Sequence, residues 1–66
     1  MDHNNPIIAG RKNLNLKQTE LAKMLGVTKQ SVNSWEKGKT KPKYMHIIKL
    51  AKLFGVSIEC LLDKVS

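Results

Sequence analysis

The sequence predicts a small all-α domain of five helices, and three observations carry that expectation. In the most regular segment Tyr44, Ile47, Ile48, Leu50, Ala51 and Phe54 form one broad apolar stripe at helical spacing, with Lys49 and Lys52 opposite. Two similar strings, Leu25-Gly26-Val27-Thr28 and Phe54-Gly55-Val56-Ser57, have the make-up of a helix-to-helix corner. In each, glycine supplies a left-handed C-cap, an apolar residue folds back on the last turn, and a hydroxyl can cap the next helix. No segment alternates as a strand would. At 66 residues the chain reads as one domain, 1–66. A domain of this size hides only about 60% of the surface its unfolded chain exposes, so its stability margin is small.

Residues 1–5 are expected to form a flexible N-terminus that ends in Asn5 as N-cap, with Pro6 at the first position of a helix over about 6–14. Asn15, which tolerates left-handed geometry, closes it. The second helix spans about 18–25 and stops at Gly26; the third spans about 29–37 and stops at Gly38. The fourth, about 43–54, is the central core helix, although Met45 and Leu53 fall off its apolar stripe, as surface scatter or as a patch that a partner covers. In the fifth, about 58–64, Leu61 points inward while Ile58, Leu62 and Val65 recur at i, i+4, i+7. That face is expected to be the dimer interface, the alternative being that it packs on its own core. Cys60 is expected to be a semi-buried structural thiol.

Composition excludes several classes. One cysteine rules out an internal disulfide framework and a Cys-based zinc site, and His3 and His46 lie far apart in sequence, so no metal is expected. No Ser-His-Asp grouping, phosphate-cradling glycine loop or usefully spaced acid pair is present, so neither an enzyme nor a cofactor is expected, and no small-molecule effector is evident. The longest apolar run near the N-terminus, Ile7-Ile8-Ala9, is far short of a signal peptide core or a membrane span, which predicts a cytoplasmic protein with no membrane partner.

The charge points the other way, toward nucleic acid. Twelve Lys and Arg against five Asp and Glu give a net charge of +7. Between Lys29 and Lys43 five lysines face a single acid, Glu36. In the third helix Val32 and Trp35 are the inward positions, while Lys29, Gln30, Asn33 and Lys37 follow an i, i+1, i+4, i+8 stripe on the outer face. Gln and Asn amides can pair with adenine in the DNA major groove, and Lys can donate to guanine O6 and N7. Lys37, Lys39, Lys41 and Lys43 would then meet the flanking phosphates.

Spacing strengthens that reading. From Gln18 to Lys37 the order of apolar Leu21, small Ala22, Gly26 in a turn, then inward Val27, Val32 and Trp35 resembles the helix-turn-helix unit, 18–37. Together with Arg11, Leu16-Lys17-Gln18-Thr19-Glu20-Leu21-Ala22, Trp35-Glu36-Lys37-Gly38-Lys39, Pro42, Leu50-Ala51 and the two corner strings, it resembles the phage repressor/Cro, or xenobiotic-response-element, family from Ile7 to Leu62. The resemblance implies a compact lambda-repressor-like five-helix domain that binds double-stranded DNA, with no cofactor and no catalysis. It further implies a transcriptional regulator, a repressor acting as a homodimer on a near-palindromic operator and so associated with the nucleoid. Lys29, Gln30, Asn33 and Ser34 match the family's base-reading positions, Gln18 matches a phosphate-touching position, and Arg11 and Glu36 match an internal ion pair. The alternative is an antitoxin-like or adaptor module whose main partner is a protein.

Two departures from the family pattern bear on stability. Lys17 stands where a serine-type N-cap is usual, an expected loss of about 1 kcal/mol. Gly10 stands where an apolar residue is common, an expected loss of roughly another 1 kcal/mol in helix propensity.

Overall fold

Four of the five helices end in the same hydrogen-bonded corner, and those corners set the architecture. The structure, a computed structural model, describes the backbone of residues 5–65 and the side chains of residues 5–62. The helices are α1 Pro6–Asn13, α2 Gln18–Leu25, α3 Lys29–Glu36, α4 Tyr44–Phe54 and α5 Ile58–Val65, and the described residues include no strand. At the ends of α1 to α4 the N–H groups of Leu16, Val27, Lys39 and Val56 reach back to the carbonyls of Arg11, Ala22, Ser34 and Ala51 at 3.0, 2.9, 2.9 and 3.0 Å. The residue before each donor is left-handed: Asn15 (φ 58°), Gly26 (74°), Gly38 (75°) and Gly55 (70°). Each corner therefore satisfies otherwise orphaned carbonyls and turns the chain sharply toward the next helix.

Helix starts are capped where the side chain has a lone pair to offer. Asn5 Oδ1 accepts from the Ile7 and Ile8 N–H groups at 2.8 and 3.4 Å, Thr28 Oγ1 from Ser31 N–H at 3.1 Å, and Ser57 Oγ from Cys60 N–H at 3.1 Å. At the start of α2 the Lys17 ammonium has no lone pair and caps nothing. Glu20 partly compensates by accepting from the Lys17 N–H at 2.7 Å, one half of a capping box. Asn5 does more than cap α1. It is buried, and its Nδ2 donates to the carbonyls of Trp35 and Glu36, both at 3.3 Å, so one amide closes the start of α1 and the end of α3. Asn5, placed in the expected flexible stretch 1–5, belongs to the fold, and the rest of that stretch, residues 1–4, lies outside the described residues.

The core is formed by Ile7 of α1, Leu21, Ala22 and Leu25 of α2, Val32 and Trp35 of α3, Ile47, Leu50 and Ala51 of α4, and Leu61 of α5. Helix α2 packs on α3 and α4 on α5, while α1 touches α3, α4 and α5. Trp35 is a core residue, its ring 5.5 Å from that of His46 and tilted by 37°. Two expectations are corrected. Tyr44, placed by periodicity on the inward stripe, is 59% exposed because it opens the first turn of α4, where the stripe runs out past the core. Cys60 is exposed rather than semi-buried, since it follows the inward face of α5 only at its edge, one position before Leu61.

Gly10 reverses its expected effect. A Cβ built there would lie 2.4 Å from the Phe54 ring, so the aromatic side chain occupies the space that an apolar residue in α1 would need. The core surface missing from α1 is supplied by α4. Helix propensity alone would make Gly10→Ala stabilising by about 1 kcal/mol. Overpacking against an aromatic ring costs about 1–3 kcal/mol and outweighs it. Urea unfolding should therefore show Gly10→Ala to be less stable than wild type, and Gly10→Ala with Phe54→Leu should recover part of the loss.

A candidate nucleic-acid interface

The candidate interface begins with a buried charge. Glu36, at the last position of α3, has its side chain only 7% exposed. An isolated carboxylate there would be prohibitively costly, and two partners neutralise and bind it. Arg11 of α1 donates through Nε to Oε2 at 2.6 Å and through a terminal nitrogen to Oε1 at 3.1 Å, the fork geometry that favours arginine over lysine. Gln18, the first residue of α2, donates through Nε2 to Oε1 at 2.9 Å. The remaining Arg11 nitrogen donates to the Leu16 carbonyl at 2.9 Å, in the corner between α1 and α2. One acid thus holds three helices in register. It is the only ion pair among the described residues.

The same network reaches the outer face. The second Gln18 amide hydrogen points to Asn33 Oδ1 at 3.4 Å, a longer and weaker contact. Because both neighbours of the Gln18 amide nitrogen are acceptors, its orientation is fixed chemically, and Asn33 is left with its Nδ2 as the outward group. Gln18, Lys29, Gln30 and Asn33 together line a shallow depression of about 160 Å³ across α2 and α3. Lys29 and Gln30 are exposed, and Asn33 and Ser34 are half-buried.

Helix electrostatics make this surface ready for an anion. Lys29 is the first residue of α3 and Lys43 the N-cap of α4, and neither helix has an acid in its first turn. A cation at the positive end of a helix costs a few tenths of a kcal/mol, where an acid would have stabilised it. Lys37, Lys39, Lys41 and Lys43 are all exposed, and none pairs with a carboxylate among the described residues. Tyr44 extends the row: its exposure next to Lys43 adds a hydroxyl that the periodicity of α4 concealed. The described residues contain no cluster of His, Cys, Asp and Glu able to hold a metal, and no helix among them is long and apolar enough to cross a membrane.

The structure brings together the sequence-predicted Gln18, Lys29, Gln30 and Asn33, and it pairs Arg11 with Glu36. Ile58 and Leu62 are half-buried against the core, and the side chain of Val65 lies outside the described residues. Sequence reasoning did not reach the link from Gln18 to Asn33 or the double role of Asn5; the spacings Gln18 to Asn33 and Asn5 to Trp35 cross helix boundaries, and no local pattern marks them.

A buried acid that locks two short helices at a glycine corner, beneath a polar outer face flanked by lysines, defines a helix-turn-helix domain. The helix-turn-helix family model matches residues 7–59, and the chain belongs to that family, in its repressor/Cro-type form, a family of DNA-binding regulators and not of enzymes. It is 51% identical over 45 residues to an uncharacterized HTH-type transcriptional regulator of Methanocaldococcus jannaschii, with 68% of each chain covered. It is 36% identical over 56 residues to repressor protein C2 of Salmonella phage P22, covering 85% of this chain and 26% of that one. An uncharacterized HTH-type transcriptional regulator of Haemophilus influenzae is 40% identical over 43 residues, 65% of this chain and 18% of that one.

The buried pair gives a direct test. Glu36→Gln and Arg11→Met should each destabilise by about 3–5 kcal/mol, because each orphans the opposite charge, whereas the double variant should lose distinctly less than the sum. Denaturant unfolding of the four proteins gives the coupling, and a value near zero would contradict a shared pair.

Proposed function

We propose that the chain is a sequence-specific repressor that binds a near-palindromic operator in double-stranded DNA as a homodimer. The observation that carries this reading is the juxtaposition of Gln18, Lys29, Gln30 and Asn33 on one outward face of the helix-turn-helix unit, beside a row of lysines that pair with no carboxylate among the described residues. The name of the phage relative supports repression, and the membership of the family supports duplex DNA as the partner.

In this reading α3 lies in the major groove. Gln30 has no hydrogen-bond partner for its side chain among the described residues and can offer both donor and acceptor to adenine N7 and N6. Asn33, its carbonyl engaged by Gln18, offers mainly its Nδ2 donor, which suits guanine O6 or N7 or thymine O4. Lys29 and Ser34 complete the base-facing set. Lys37, Lys39, Lys41 and Lys43, with the Tyr44 hydroxyl, meet phosphates, and the anion relieves the cations held at the starts of α3 and α4. The amide nitrogen of Gln18 is engaged inside the protein, so a phosphate beside it would be met by the free N–H groups in the first turn of α2.

One such helix reads only a few base pairs, which is why two copies are proposed, with Ile58, Leu62 and Val65 of α5 at the interface. The partial exposure of Ile58 and Leu62 is compatible with both packing on the core and meeting a second copy. Two recognition helices would then enter successive major grooves about 34 Å apart.

Selection from random duplexes should return a defined site for the wild type, with Gln30→Ala and Asn33→Ala each changing the preferred base at one or two positions and losing about 1–3 kcal/mol on the original site. An unchanged site from both variants would contradict base reading by this face. Lys37→Ala and Lys39→Ala should weaken specific and random duplexes alike, and lower the slope of log affinity against log salt by about one unit per lost phosphate contact. Inserting half a helical turn between half-sites should abolish tight binding; a one-to-one complex of full affinity, indifferent to that insertion and to Leu62→Lys, would overturn the dimer.

A further inference from the structure

We propose that the groove between α2 and α4 seats an acidic amphipathic helix of a partner protein. The groove has a volume of about 330 Å³ and is lined by Met24, Leu25, Lys49, Lys52 and Leu53. Its floor is apolar: Leu25 belongs to the core, Leu53 is half-buried, and Met24 is 53% exposed. Its rim is cationic, because Lys49 and Lys52 are both exposed. Along α4 the outward positions Met45, Lys49, Lys52 and Leu53 follow i, i+4, i+7, i+8, so one stripe of the helix carries apolar and cationic side chains together, with Met45 60% exposed at its far end.

Three candidates could cover such a surface, and charge chooses among them. A second copy of a chain with net charge +7 would bring cations toward lysines. A phosphate backbone would satisfy Lys49 and Lys52 but leave Met24 and Leu53 without apolar contact. A helix with leucine-like side chains one turn apart and glutamates beside them matches both features: the apolar pair enters between Met24 and Leu53, and the carboxylates meet Lys49 and Lys52. The flexible thioethers of Met24 and Met45 adapt to the side chains they meet. None of these residues belongs to the base-facing or phosphate-facing set proposed for DNA, so the domain could hold operator and partner together.

The test uses the full chain and a synthetic amphipathic peptide with two leucines one helical turn apart, flanked by glutamates. Amide and methyl chemical-shift mapping should centre on Met24, Lys49, Lys52 and Leu53. Replacing the leucines by alanines should weaken binding about tenfold, and so should Lys49→Glu with Lys52→Glu or, separately, Met24→Asp; a peptide with lysines in place of glutamates should not bind the wild type. The slope of log duplex affinity against log salt should be unchanged in a Lys49→Gln, Lys52→Gln protein, since neither lysine meets a phosphate. The proposal is overturned if the shifts centre on Lys29 to Lys43, if the alanine peptide binds as well as the leucine peptide, if the charge-reversed protein keeps full peptide affinity, or if Lys49→Gln with Lys52→Gln lowers the salt slope of duplex binding as Lys37→Ala does, which would make these lysines phosphate ligands.

Discussion

The carboxylate of Glu36 is the constraint on which the arrangement of α1, α2 and α3 depends. A buried negative charge at the end of α3 is tolerated only with a cation and further donors close by, and those come from α1 and α2 through Arg11 and Gln18. The geometry of the pair is therefore the geometry of the three helices. The Arg11 contact to the Leu16 carbonyl and the Asn5 contacts to the end of α3 fasten the same region from the sides. In a domain whose total stability is of order 5–10 kcal/mol, one orphaned charge consumes a large fraction of the margin. The apolar core, by contrast, is distributed over all five helices and no single contact dominates it.

Structure and proposed recognition share this network. Its inner end is the ion pair; its outer end is the Asn33 side chain, aimed by Gln18. A reading helix must be held rigidly if a misplaced side chain is not to blur the choice of base, and here the element that fixes α3 against α2 also orients one of its outward amides. The lysines play a different part. They have no carboxylate partner among the described residues, and two of them, Lys29 and Lys43, sit at helix starts where a cation is mildly unfavourable, so these two carry a small electrostatic tension that an anionic partner would remove.

Much of the fold was legible because its signals are local. Gly26, Gly38, Gly55 and Asn15 mark corners through their own backbone conformation, and Asn5, Thr28 and Ser57 mark helix starts through side chains that bond two or three residues away. The Arg11 and Glu36 pair was reached by family resemblance, since nothing local joins residues in different helices. Gly10 was misjudged for the same reason: its merit lies in Phe54, which is remote in sequence. Tyr44 was misjudged because periodicity describes a helix face and not where the core beneath it ends. In the candidate site, the outward stripe of α3 was legible from spacing, whereas the internal engagement of the Gln18 amide depends on a contact between α2 and α3 that spacing does not encode.

The central claim, that the face built on the Glu36 network is the one that meets duplex DNA, is tested most directly by chemical-shift mapping of the full chain with the duplex recovered by selection. The account predicts perturbations concentrated at the start of α2, along residues 28–34 and through the lysine row to Tyr44, with the Arg11 and Glu36 signals nearly unmoved because the network is already formed. Perturbations centred on α5 or on the groove between α2 and α4, with α3 silent, would contradict it.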